Sequence, residues 1–329
     1  MANFTRAAPF QRLLFPDLAG IAFVGGALTY YNEMYASATT LLSISPGAFT
    51  GATAAISILA GFRLNASYGR YREGRQYWSM VNTAARDLAR QSFLWIRSKD
   101  DALPLQQAQA RMVRYTQAFP VALLFHVNDK GGHHNMTRKP YHTFDDRVLA
   151  EFQAELQDVY GCRNTDPSLD DALQKDLGQI LHTKQQGGNA PLEIILGMSQ
   201  ILQICQRYDH IHPCYIREME QQIQQFAKAL GSCERIVKTP LPTGYSRHSS
   251  RLLFIWSHTL PLALYPLLGP WGTVPTSLLT AYAVLGIEDI SIQFEDPFDI
   301  LPLRQYSDAM FDSVKAIEEA FQRKRKEAH

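Results

Sequence analysis

From Leu252 to Ile287 the chain carries no Asp, Glu, Lys or Arg, and from Met34 to Phe62 it is uncharged again. A third apolar window, "LAGIAFVGGALTYYN" (Leu18–Asn32), lies between Asp17 and Glu33. The middle, Arg63 to Arg251, is dense in Gln, Arg, Asp and Glu. Segregation this sharp leaves two arrangements. The windows are either core helices of a soluble protein or membrane spans, each of which needs roughly 20 mostly apolar residues. Bulk values conceal the pattern: the 329 residues sum to a net charge of +1. That balance gives no reason to expect a nucleic-acid partner.

The windows divide into four candidate spans, two near each end. "SISPGAF" breaks the second window, so that a helix starts near Pro46 or Gly47. "GPWGTVP" (Gly269–Pro275) divides the third, with Gly, Pro and Trp where a membrane–water boundary favours them. Four passes would place Arg63, Arg251, Arg6 and Arg12 on one side, in line with the excess of basic residues on the cytoplasmic side of membrane proteins. Tyr30, Tyr31, Trp256, Tyr265 and Trp271 lie near the window ends, although each also suits a soluble core.

The middle reads as helix throughout. Apolar residues recur at helical spacing in "PLQQAQARMVRYTQAFPVALLFHV", "FDDRVLAEFQAELQDVY", "PSLDDALQKDLGQILHTK", "PLEIILGMSQILQICQRYDH" and "YIREMEQQIQQFAKALGSCERI". Pro191 suits a first helical position, and Thr143 or Thr165 suits a cap. "NDKGGHHNMTRKP" and "TKQQGGNAP" read as loops. Alternating strands and solenoid repeats are absent from the pattern. The expected class is all-α.

"AISILAGFRLNASYGRYREGRQYW" (Ala55–Trp78) changes from apolar to basic without a stop signal. A helix from about Gly47 to Gln91 would be roughly 65 Å long, so one half can lie in lipid and the other in water. Ala54, Ile58 and Phe62 share one stripe of it, continued by Asn65, Gly69, Arg72 and Gln76. Several copies around an axis would form an apolar constriction opening into a wet, basic vestibule. A long amphipathic helix that packs its apolar stripe and solvates its charged end has the same spacing.

"GFRLNASYGRYREGRQYW" followed by "LARQ" resembles the signature of the bestrophin family of pentameric ion channels. The matching positions are Gly61, Phe62, Arg63, Asn65, Tyr68, Arg70, Glu73, Arg75 and Trp78, then Ala89, Arg90 and Gln91. "GIEDISIQFEDPFDILPL" (Gly286–Leu303) resembles that family's acidic loop after the last span, and "RHSSRLLFIWSHTLPLALYP" is similar to its bacterial and chloroplast branch. The resemblance implies a homopentamer in a lipid membrane, thylakoid or bacterial inner, passing monovalent ions passively and catalysing nothing. It implies residues 1–70 as the first two spans with the pore neck and 71–250 as a soluble-side helical region. Residues 251–290 become the last two spans, and 291–329 an acidic loop and C-terminal tail.

The resemblance implies three apolar neck rings, which on the "GF" pair fall on Phe62, Ile58 and Ala54, the last smaller than the family's usual aliphatic. The resemblance also implies a second, cytosolic constriction, for which "GGNAPLEIIL" is the expected region. Animal members hold Ca²⁺ in an acidic run after the "PF" pair; here Asp299 is followed by Ile300, Leu301, Pro302 and Leu303. Gln293, Glu295, Asp296 and Asp299 approach a calcium shell only weakly, so no cofactor is expected. Arg63, Arg70, Arg72 and Arg75 outnumber Glu73 below the neck, which favours chloride, nitrate or bicarbonate over a cation, with Arg70–Glu73 a natural i, i+3 pair.

Other constellations carry less. His210, His212 and Cys214 are ligand types at alternate positions, which diverge on a helix and lack a fourth partner. Cys162, Cys205, Cys214 and Cys233 form no CxxC pair. Phosphate loops, dinucleotide glycines, nucleophile elbows and zincin helices are absent from the sequence.

Overall fold

The computed structural model describes residues 8–35, 41–97, 103–128, 146–160 and 167–327. The order is α1 (Ala8–Met34), α2 (Pro46–Trp95), α3 (Leu103–Val127), α4 (Asp146–Tyr160), α5 (Pro167–Gln185), α6 (Ala190–Arg207), α7 (Pro213–Lys238), α8 (Thr243–Glu295), α9 (Pro297–Ile300) and α10 (Leu303–Glu327). Among the described residues there is no strand. The all-α expectation holds. Arg6, Thr143, Thr165, Cys162 and the "GGHHN" loop lie outside the described residues.

The chain forms two compact units, one of residues 1–72 and 240–297, the other of residues 73–239 and 298–329. In the first, α8 folds back on itself at Gly269, whose φ of 65° is open to glycine and strained for residues with a Cβ. The two arms then run antiparallel. Ser250 on one arm donates to Glu288 on the other at 2.7 Å, and Leu253 and Val284 share a cluster. Helix α1 lies against both arms. A Cβ at Gly25 would meet Pro261 and Val274 together, and Ile21 packs on Ala281 and Leu285. Two helices, α2 and α8, are apolar and long enough to cross a membrane by length and composition. With α8 doubled and α1 beside it, the four expected spans have their places.

The start of α2 is also as read. Residues 41–45 are non-helical and Pro46 opens the helix, where its missing N–H is harmless. Asn32 fixes the approach, its amide exchanging two hydrogen bonds with the backbone of Leu42 at 3.0 and 3.2 Å.

In the second unit α3 and α6 approach closely. A Cβ at Gly197 would come within 2.8 Å of two Tyr115 ring carbons and its hydroxyl oxygen, so only glycine lets that side chain lie on α6. Phe119 and Phe226 meet edge to face at 4.8 Å, and Arg111 grips Asp176 through two 2.8 Å hydrogen bonds. Within the stretch 291–329, read from the sequence as an acidic loop and C-terminal tail, α10 (Leu303–Glu327) is a full helix. It buries Leu303, Ser307, Met310 and Val314, and Phe321 stacks on Phe93 at 4.9 Å.

Candidate functional site

Helix α2 runs without a break through Arg63, for about 75 Å. One stripe of it packs. Phe49 stacks on Trp256 at 5.7 Å, and Ile56 joins Leu253, Trp256 and Leu260 in a buried cluster. Trp256 Nε1 donates to Thr53 Oγ1 at 2.9 Å, and Tyr245 donates to the carbonyl of Leu59 at 3.3 Å. Ala60, Arg63 and Ser67 continue the buried stripe.

Ala54, Ile58 and Phe62 lie on the far side. Each is two residues from Ile56 or Ala60, a rotation of about 200°. Ile58 is 61% exposed and Phe62 65%, while Ala54 is also open. Among the described residues nothing covers the edge. Asn65, Arg72 and Gln76 are exposed and Gly69 half-buried, so the predicted stripe stays on one open side as it turns polar.

The arginines below Phe62 separate into two kinds. Arg63 is 2% exposed and forms a buried ion pair with Glu288. Its Nη1 also donates to Ser250 Oγ at 3.0 Å and to the carbonyl of Ser246 at 3.3 Å, and Glu295 stands 4.0 Å from Nη2. Arg70 Nε donates to the carbonyl of Glu295 at 3.0 Å. Tyr68 and Tyr71 stack on each other and both meet Phe294. Trp78 is core. Arg63 therefore adds nothing to a vestibule field, contrary to the sequence count. Glu73 also differs from expectation: it pairs with Arg235 of α7 at 2.8 Å, because that guanidinium reaches it from outside the helix. Arg72 and Arg75 are exposed and have no ion pair among the described residues.

The weak calcium loop has other partners. Glu295 is turned toward Arg63 and Arg70, and Gln293 donates to Asp289 at 2.8 Å. Asp296 ends α8, and Asp299 belongs to α9. Among the described residues no three acidic, His or Cys side chains form a metal-binding group. His212 instead caps α7, accepting from the N–H of Cys214 at 3.3 Å, and Cys205 and Cys233 are buried. Desolvation pushes the Cys205 thiol up to about 11 and the Cys233 thiol to about 12, so both stay protonated and inert.

In the "GGNAPLEIIL" segment, Asn189 caps α6 by accepting from the N–H of Leu192 at 3.1 Å. Leu192 and Leu196, one turn apart, are exposed at the start of that helix. Asn189 is held in turn by Glu234, which also binds His126 at 2.9 Å and Lys238 at 2.7 Å. That network was invisible in sequence, since its members come from two helices, α3 and α7, and the α5–α6 turn.

The family described as Bacterial/Fungal Bestrophin protein matches residues 4–316. Voltage-dependent chloride channel 2, chloroplastic, of Arabidopsis thaliana is 28% identical over 80% of this chain and 54% of its own length. Voltage-dependent anion channel-forming protein alr2987 of Nostoc sp. is 25% identical over 94% of this chain and 85% of its own. The chain thus spans about half the length of the Arabidopsis relative. A crystal structure of a bacterial bestrophin homolog from Klebsiella pneumoniae superposes with a TM-score of 0.72 at 21% identity, covering 92% of this chain and 98% of that one. With both the α2 block and the loop after α8 inside the match, the chain belongs to the bacterial/fungal bestrophin family.

Proposed function

We propose that this chain is one subunit of a passive membrane channel for monovalent anions, built from five copies with α2 lining the axis. One observation carries the reading: the Ala54–Ile58–Phe62 edge is apolar, opposite the packed stripe of α2 and left open by the described residues of its own chain. Facing an axis, those residues form a narrow neck that wets only when open. Arg72 and Arg75 then supply a positive field below it, which attracts anions. The names of the Nostoc and Arabidopsis relatives, anion channel-forming protein and chloride channel, agree with that sign.

Leu192 and Leu196 make a second apolar ring at the capped start of α6. Opening does not require Ca²⁺, because Glu295 is occupied by arginine. The channel carries out no catalysis. Its setting is a thylakoid or bacterial inner membrane, as suggested by chloroplast and cyanobacterial relatives. Reversal potentials in a planar bilayer under a salt gradient test the reading. A shift toward the chloride Nernst value is expected, and a shift toward the cation value overturns it.

A further inference from the structure

A cleft of about 530 Å³ opens beside α1 and the two arms of α8. Its walls are apolar, among them Phe254, Ile255, Leu285 and Ile292. Its polar lining is Asp17, Arg251, Glu288 and Asp289, with Ser250. These four charged residues share a property in the sequence. Asp17 immediately precedes the first apolar window, Arg251 immediately precedes the third, and Glu288 and Asp289 immediately follow it. The cleft thus lies where three helix segments change from apolar to charged, which is headgroup depth in a bilayer.

The charges are arranged in a particular way. Glu288 is more than nine-tenths buried; its Oε1 meets Arg63 and Ser250, while Oε2 is closed off from solvent and has no hydrogen-bond partner among the described residues. Asp289 is equally buried, and among the described residues its carboxylate accepts only from Gln293. With Glu288 neutralised by Arg63, the cleft presents two carboxylates, Asp17 and Asp289, and one guanidinium, Arg251. Phe254, Ile255 and Ile292 are exposed beside them and leave room for an acyl chain.

We infer that this cleft binds a zwitterionic phospholipid. Its ammonium faces Asp17 and Asp289, its phosphate faces Arg251, and its tail lies along Phe254, Ile255 and Ile292. An anionic phospholipid offers the phosphate without the ammonium and meets two carboxylates it cannot satisfy. The inference rests on the membrane setting of the proposed channel but not on which ion passes.

The full-length protein in detergent is given equal amounts of phosphatidylethanolamine and phosphatidylglycerol, and retained lipid is counted by native mass spectrometry. Phosphatidylethanolamine should be kept in clear excess. Asp289→Asn or Arg251→Gln should lower its retention about tenfold, the scale of one lost hydrogen bond to a charged group. Arg251 is exposed, so its variant keeps the fold, and an unchanged melting temperature checks that. Equal retention of both lipids, preference for phosphatidylglycerol, no retained lipid, or variants that retain as wild type overturn the inference. Bilayer currents recorded on the same preparation report separately on the channel.

Discussion

Arg63 and Glu288 form an ion pair that is buried on both sides, 225 residues apart in sequence, joining α2 to the second arm of α8. Ser250 on the first arm donates to the same carboxylate oxygen. One guanidinium therefore ties together three helix segments at the level where the apolar edge of α2 ends. Charges so placed are sustained only by each other, because removal of either leaves the other desolvated.

Truncation should show this asymmetry. Glu288→Ala is expected to lower stability by about 3–5 kcal/mol, the usual result of stranding a buried charge. The double variant Arg63→Met/Glu288→Leu should recover most of that loss. Denaturation midpoints of the detergent-solubilised protein measure both. Additive losses would mean that the two residues act independently.

The neck makes a second prediction. Ile58→Ala with Phe62→Ala removes apolar bulk from an edge that is mostly exposed among the described residues. Stability should hardly change, whereas bilayer recording should show a several-fold rise in open probability or conductance. The opposite pattern, lower stability at constant current, would place the edge in a packed interface.

How far the sequence revealed this arrangement depended on range. The long α2 helix, its start at Pro46 and the reversal at Gly269 were legible, because Pro and Gly act on their own backbone. Glu73 was assigned to Arg70 on i, i+3 spacing, and Arg235 from α7 took it instead. Arg63 was counted as a solvent-facing charge because nothing local marks Glu288 as its partner. Helix α10 was missed although Leu303, Met310, Val314 and Phe321 keep a helical rhythm; its many charges concealed a narrow buried stripe. Asn189 gave no sign of its Glu234 contact, which only tertiary packing creates.

Acid should weaken the protein through His126. Burial takes water from its imidazole and outweighs the attraction of Glu234, so its pKa lies below the ordinary 6.5. The neutral form is thus the one the fold favours. That stability is complete above the unfolded value and is lost as pH falls through the folded one. Glu234 is also held low, by hydrogen bonds from Lys238 and His126 that together overcome its own desolvation, so its contribution is lost in the same direction at lower pH. Melting temperature should fall from pH 7.5 to pH 5, the decline starting near 6.5. His126→Gln should flatten that part of the curve, and an unchanged slope would remove His126 from the account.

Calcium should have no effect on opening. The Glu295 carboxylate faces Arg63 and its carbonyl accepts from the N–H of Arg70, so a cation arriving there would have to displace two arginines. Currents with excess chelator and with millimolar Ca²⁺ should coincide. A rise in open probability with Ca²⁺, abolished by Asp299→Asn, would overturn the claim.

The anion preference rests on fewer charges than the sequence suggested, which makes it easier to test. Arg63 is neutralised by Glu288 and Arg70 is bonded to the Glu295 carbonyl, leaving Arg72 and Arg75 as the open cations of this stretch. Five copies place ten positive charges around one axis in the proposed pentamer. Field from exposed groups is screened beyond roughly 8 Å at physiological salt and reaches farther when salt is low. Arg72→Gln/Arg75→Gln should therefore reduce chloride conductance most at low ionic strength, with the difference shrinking as salt rises. It should also move the reversal potential toward the cation side, whereas Arg235→Gln, which frees Glu73, should move it the same way by less. A double variant with unaltered reversal potential would show that selectivity is set elsewhere along α2.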